Sequence, residues 1–292
     1  MRVTHNITYN GYVNDLTRQQ ERLLGLHKQI STGKSVNAPS DDPVKVNTLL
    51  TSRGLLSSVS QYDRNADSGL SYLGIAEGAL SRAKDTISRL SELAISSNGI
   101  IDAGTRANIA IEVNNLYAQL VDQSNTTYDD KYIFSGYETD TAAFTSLGAY
   151  QGDANAQAIK TGISTNVTIG VNGGEVFKGV GGGVDIFGKI SAFVTALETN
   201  DTAGCKTAID DMSSAFDQVS DAVADIGGKV TRLNALKSDY SRISMELRTV
   251  MSGIEDADMA KVISDMQLGQ AAMEASLKSA GRIFATNIFD YL

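Results

Sequence analysis

The stretch Asp258–Leu292, DMAKVISDMQLGQAAMEASLKSAGRIFATNIFDYL, decides how this chain is organised. Apolar and small residues recur in it at alternating steps of three and four, at Met259, Val262, Met266, Gly269, Met273, Ser276, Ala280 and Ile283. Ile263, Leu277 and Phe284 lie one position further round and widen the apolar face. This spacing predicts a coiled-coil helix. Because one helix cannot bury its own stripe, the stripe requires a partner.

The N-terminal segment offers the matching stripe, at Tyr9, Val13, Leu16, Gln20, Leu23, His27 and Ile30. Met1–Ser35 has a basic balance, whereas Glu255–Leu292 has an acidic one. We therefore predict that the two terminal helices pair. Two helices are too thin to bury both stripes fully, so we predict that their seam also contacts further copies of the chain. The predicted assembly seam is Tyr9, Val13, Leu16, Leu23, His27, Ile30, Met259, Val262, Ile263, Met266, Met273, Leu277, Ile283 and Phe284.

Between the tails, long apolar periodicities predict a helical rod. After a turn at residues 35–43, Asp41 or Asp42 can cap a helix that begins at Pro43. Residues 43 to about 98 are predicted to form this one helix or a barely interrupted pair of helices. A helix of that length spans roughly 80 Å. We predict an antiparallel second helix capped by Thr105, and a last long helix from about Thr202 to Ser252. Gly227 and Gly228 are unfavourable within the last one, but its apolar register runs through them, so we predict a continuous helix with a close neighbour there.

The predicted fold class is mainly α: an elongated antiparallel helical rod with paired terminal coiled-coil helices and a small β-rich insertion. The predicted segments are an N-terminal tail helix, the first part of the rod, the insertion, the second part of the rod and a C-terminal tail helix, at 1–41, 42–143, 144–184, 185–254 and 255–292. The insertion is rich in Gly, Thr, Asn and Val, and the chain leaves it through a glycine-rich stretch. We expect it to add little to the core, so that a short linker could replace residues 145–182.

The composition excludes several classes of protein. The formal net charge of −9 argues against nucleic-acid binding, which requires a basic surface. One cysteine, Cys205, excludes an internal disulfide framework. No apolar run is long enough for membrane insertion, and no apolar core of a cleaved signal peptide is visible. By these criteria alone the chain would be assigned to the cytoplasm.

We predict no catalytic, cofactor-binding or metal site, and no cofactor. His5 and His27 both lie on the first helix, and nothing frames a nucleophile. The acidic pair Asp41–Asp42 could bind a cation, although a helix cap explains it more simply. The glycines at 179–183 do not match a phosphate-binding loop. A hydrolase on a helical scaffold stays as an alternative, and it would require a cleft with perturbed acids or a nucleophile.

Three stretches carry a family resemblance. ISTGKSVNAPSDDP after an N-terminal heptad helix, residues 93–98 and the later GGKVTRLNAL are similar to the signature and helical segments of bacterial flagellins. Within that family, the MRVTHN start, YIFSGYETDTAAF and the IFDYL end resemble the members at the junction between hook and filament. Ala142–Ala143 departs from the pattern, where a proline is expected, and this affects only the local turn.

The resemblance implies a structural protein that polymerises with itself in a ring or helical zone between hook and filament. Its implied partners are a second hook-associated junction protein on the hook side, flagellin on the filament side and a dedicated flagellar export chaperone. It also implies export through the flagellar type III channel without a cleaved signal peptide, to an extracellular location, which reverses the cytoplasmic assignment. A flagellin-type filament subunit is the alternative.

Overall fold

The computed structural model describes residues 2–99 and 102–289, with the side chains of residues 2–6, 8 and 283–289 left out of the description. Its elements in chain order are α1 (Arg2–Thr32), α2 (Pro43–Ser97), α3 (Ala103–Ser124), β1 (Thr127–Tyr128), β2 (Lys131–Tyr132), β3 (Ala158–Lys160), β4 (Asn166–Thr168), α4 (Gly173–Lys178), α5 (Ile186–Glu198), α6 (Thr202–Glu255) and α7 (Met259–Phe289). The predicted mainly α fold with a small β-rich part is confirmed.

The chain forms two compact units. One consists of Met1–Ser58 and Arg242–Leu292, and the other of Val59–Ser241. The long helices α2 and α6 contribute residues to both units. The five-segment division made from the sequence is not tested by this partition and stays a prediction.

In the Val59–Ser241 unit, the alternating apolar residues of α2 form the core. From Ala66 to Ala94 the apolar and small residues that recur at steps of three and four are buried, and Leu73, Leu80, Ile87 and Leu90 are each completely inaccessible to solvent. Met212, Val219, Ile226 and Leu233 of α6 are equally inaccessible. The stripes predicted from periodicity are therefore the buried faces of these helices.

Acidic residues cap the starts of α2 and α3. Asp42 accepts hydrogen bonds from the backbone N–H groups of Val44 and Lys45, both at 3.1 Å, and so caps α2 as predicted. The prediction that Thr105 caps α3 is wrong, because the cap is Asp102, whose carboxylate accepts the Thr105 backbone N–H at 2.7 Å. Hydrogen bonds from the backbone and hydroxyl of Thr105 hold the pKa of Asp102 below its usual value.

The region predicted as a dispensable insertion is part of the core of its unit. β1 and β2 form an antiparallel hairpin before this region, and β3 and β4 form another within it. Phe177 of α4 is fully buried, with its ring centroid 5.7 Å from Phe134, 5.5 Å from Phe144 and 6.0 Å from Phe187. The expectation that the insertion adds little to the core is therefore wrong. Phe177 completes an aromatic cluster whose other rings come from before residue 145 and after residue 182.

The helical glycines differ in what surrounds them. A Cβ at Gly69 of α2 would lie 2.6 Å from Ile159 Cδ1 and 3.3 Å from Ile169 Cγ2, so this glycine lets the β3–β4 hairpin approach the helix. A Cβ at Gly227 or Gly228 would meet no atom of the described residues within 4 Å. Helix α6 is continuous through these two glycines, as predicted. The prediction of a close neighbour there is wrong for the described part of this chain.

We expect Gly228→Ala to raise the free energy of unfolding by about 1 kcal/mol, because alanine is the better helix former and its methyl group meets open space. Gly69→Ala is the matched variant on α2. It should lower the free energy by roughly 1–3 kcal/mol, because the new methyl group crowds Ile159 and Ile169. Urea unfolding followed by circular dichroism measures both. Equal shifts of the same sign would contradict this account of the two positions.

Candidate assembly surface

Helices α1 and α7 pack against each other, as the sequence predicts. The two covered faces keep the alternation of three and four residues. They consist of Tyr12, Leu16, Gln19, Leu23, Leu26 and Ile30 on α1, and of Val262, Met266, Gly269, Met273, Ser276 and Ala280 on α7. The α7 face has the predicted register. The α1 face shares Leu16, Leu23 and Ile30 with the prediction but alternates them with Tyr12, Gln19 and Leu26.

A glycine permits the close approach of these helices. A Cβ at Gly269 would lie 2.9 Å from Leu23 Cδ2, closer than real methyl contacts allow. Leu23 therefore packs directly over the α7 backbone. Like Gly69, Gly269 occupies a stripe position where a larger residue would separate its helix from a neighbour.

Of the twelve predicted seam residues whose side chains are described, six stay exposed in the single chain. Leu16, Leu23, Ile30, Met266 and Met273 are partly covered, and Val262 is buried. His27 is exposed, as are Tyr9, Val13, Met259, Ile263 and Leu277, which expose between 37% and 52% of their surface. Ile283 and Phe284 lie outside the described side chains. Assembly contacts at these positions stay a prediction.

Three further apolar side chains on the same helices are exposed but do not belong to the predicted seam. Ile7 is 65% exposed, Leu24 62% and Leu268 66%. They lie between the stripe positions, where a monomeric amphipathic helix carries polar residues. Most of the large apolar side chains that the described chain exposes belong to the Met1–Ser58/Arg242–Leu292 unit. Such a concentration is typical of a surface that is covered in an assembly.

A clasp joins the chain after α1 to the chain before α7. Ser35 donates its backbone N–H to the Glu255 carbonyl at 2.7 Å, and Ala257 donates to the Gly33 carbonyl at 2.9 Å. The Glu255 side chain is buried between two cations: it accepts hydrogen bonds from Arg53 at 2.8 and 3.0 Å and forms an ion pair with Lys34. Hydrogen bonds from Lys34 and then Arg53 hold its pKa below the usual value.

We expect Glu255→Gln to destabilise the clasp by about 2 kcal/mol, because a charged acceptor of two cationic donors is replaced by a neutral amide. Since the folded-state pKa is lowered, the stabilisation is complete above the unfolded-state pKa of about 4.3 and declines as the pH falls through the lower folded-state value. Hydrogen exchange at the Ser35 and Ala257 amides measures the opening. If the two amides exchanged as slowly in E255Q as in the unaltered chain at pH 7, the carboxylate would contribute nothing to the clasp.

We expect Gln19→Leu to stabilise the helix pair. The Gln19 side-chain oxygen is buried and, among the described residues, has no hydrogen-bond partner. Removing a buried unsatisfied acceptor should gain roughly 1–3 kcal/mol in the unfolding of α1 and α7. Thermal unfolding by circular dichroism tests this, with the exposed Gln20→Leu as the control. A gain no larger than that of the control would show that the acceptor is solvated.

The described residues contain no group of three or more His, Cys, Asp or Glu that could hold a metal ion. Within the same residues, no helix combines the length and apolarity needed to cross a membrane.

The chain is similar to known flagellar proteins. Residues 3–139 match the model described as the bacterial flagellin N-terminal helical region. The flagellar hook-associated protein 3 of Salmonella typhimurium is 26% identical over 303 aligned residues, which cover 96% of each chain. A flagellin of Bacillus subtilis is 26% identical over 294 residues and 94% of each chain.

Among solved structures, a putative flagellar hook-associated protein from Vibrio parahaemolyticus matches with a TM-score of 0.68. The match is 20% identical and covers 74% of this chain and all of that one, which shows a shared fold. The resemblance to bacterial flagellins, and within them to hook-associated protein 3, is confirmed.

Proposed function

We propose that this chain, a relative of flagellar hook-associated protein 3, is a structural subunit of the bacterial flagellum that forms an adaptor zone between hook and filament. The observation that carries the proposal is the partly covered helix pair α1–α7, whose outer faces expose apolar residues at stripe positions. The full-length similarity to the Salmonella protein supports the junction as the location.

The helix pair provides a physical reason for assembly. Each apolar Å² removed from water contributes about 25 cal/mol, and side chains such as Ile263 and Leu277 leave roughly half of that contribution unused in the single chain. Neighbouring copies can bury these faces. We therefore assign the terminal helices to contacts between copies, arranged in a ring or helical zone.

The proposed partners follow from this location. The zone meets a second hook-associated junction protein on the hook side and flagellin on the filament side. We also propose that a dedicated flagellar export chaperone binds the chain and that the chain is exported without a cleaved signal peptide. The role is mechanical, and we propose no catalytic activity, because the relatives are structural proteins of the flagellum.

A flagellin-type filament subunit is the second candidate, favoured by the similarity to the Bacillus subtilis flagellin over nearly the whole chain. Electron microscopy of the purified protein separates the two. A junction subunit should stay monomeric or form short oligomers, whereas a filament subunit should form long fibres unaided. Long fibres would overturn the junction proposal.

A further inference from the structure

The Met1–Ser58/Arg242–Leu292 unit contains a groove of about 360 Å³ between the loop after α1 and the first turns of α2. The helical wall has the spacing i, i+3, i+4 and i+7, which places its residues on one face. These residues are Val46, Leu49, Leu50 and Arg53. The loop wall consists of Val36, Ala38 and Pro39. A groove with one helical wall and an apolar lining suits an amphipathic helix.

The floor and rim of the groove differ in exposure. Val36 and Leu49 are 8% and 4% exposed and form a fixed floor. Leu50 on the rim is 60% exposed, so the described residues leave most of this part of the apolar wall uncovered. An occupant therefore gains apolar contact without displacing any packed side chain.

One end of the groove has an excess of positive charge. Lys34 and Arg53 share the single carboxylate of Glu255, which is buried, while the two cationic side chains are 44% and 49% exposed. A helix that enters this groove should therefore carry apolar residues next to a carboxylate.

The start of α7 has these properties. Met259 and Ile263 are exposed at i and i+4, and the exposed Asp258 precedes them as the N-cap. Helix α1 also exposes an i, i+4 apolar pair, Tyr9 and Val13, but the residue directly before this pair is the neutral Thr8 and not a carboxylate. We therefore favour α7 over α1, because the apolar pair of α7 directly follows a carboxylate and that of α1 does not.

We propose that this groove receives the start of α7 from a second copy of the chain. Met259 and Ile263 of one copy pack beside Leu50 of the next, and Asp258 lies near Arg53. Groove and helix are different patches of the same surface, so the contact is heterologous and continues from copy to copy into a ring or helix. The inference rests on the proposed function, because it describes a contact within the assembled zone.

Disulfide trapping in isolated flagella tests the contact. The only natural cysteine, Cys205, is buried, so introduced thiols report alone. Cells without their own copy of the gene would produce Leu50→Cys and Ile263→Cys chains together, and sheared flagella would be oxidised mildly. The matched control replaces the first variant by Ile111→Cys, whose position is 63% exposed on α3. Each variant produced alone measures pairing between like positions.

We expect at least tenfold more cross-linked dimer from Leu50→Cys with Ile263→Cys than from the control pair or from either variant alone. A yield equal to that of the control would overturn the groove contact while leaving the proposed function standing, provided that immunoblots detect the chain in flagella. Absence of the unaltered chain from flagella would instead overturn the proposed function, and the groove contact with it.

Discussion

Cells that produce the Ile263→Asp variant should lack filaments and release flagellin as monomer, whereas the purified variant should unfold at the same temperature as the unaltered chain. Ile263 is 42% exposed on α7, so a carboxylate there stays solvated in the single chain. In the proposed zone a neighbouring copy would cover the position, and burying an unpaired carboxylate there should cost roughly 3–5 kcal/mol per copy. Motility, electron microscopy and immunoblots of the medium measure the loss.

Ser264→Asp is the matched control, because it introduces the same charge at the next position of the same helix, where an exposed polar residue already stands. It should retain filaments. Leu23 and Met266 are less suitable positions, since both are partly covered in the α1–α7 contact and their replacement also disturbs the single chain. Normal filaments on Ile263→Asp cells would remove Ile263 from the assembly surface.

Phe177→Ala should lower the free energy of unfolding by about 3–5 kcal/mol, the usual cost of emptying a fully buried phenylalanine site. Its ring packs against Phe134, Phe144 and Phe187, so the cavity opens in the middle of the aromatic cluster and cannot collapse without moving three rings. Urea unfolding followed by tyrosine fluorescence and circular dichroism measures the change.

The control is Val180→Ala, three residues further on, where the side chain is 59% exposed. It should change the free energy of unfolding by less than about 0.5 kcal/mol. A loss below about 1 kcal/mol for Phe177→Ala would restore the view that residues 145–182 are a dispensable attachment.

Long periodic elements could be predicted from the sequence, and non-local packing could not. The stripe of α2 repeats over many turns, so its burial follows from spacing alone, as Leu73, Leu80 and Ile87 show. The aromatic cluster brings together Phe134 and Phe177, which are far apart in the sequence and lie in segments with weak patterns. Only the fold makes them neighbours, which is why the sequence alone did not predict that the insertion contributes to the core.

The covered faces of α1 and α7 were predicted in part for a related reason. Leu16 and Val13 are both apolar residues at the three-and-four spacing of α1, yet Leu16 is partly covered by the chain itself and Val13 is 42% exposed. Periodicity detects that a face will be covered, but it does not distinguish cover within the chain from cover by another copy. The Asp102 cap was missed because Asp102 and Thr105 are both good capping residues, and backbone geometry chooses between them.

The location of the chain on intact flagella tests the central claim most directly. Ile163 is 79% exposed in the turn between β3 and β4, so Ile163→Cys offers a reactive thiol while Cys205 stays buried. Flagella from cells producing this variant would be labelled with maleimide-biotin and streptavidin-gold and viewed by electron microscopy. A single narrow band of gold where the hook meets the filament is the predicted result. Gold along the whole filament would contradict the junction role and identify the chain as a filament subunit.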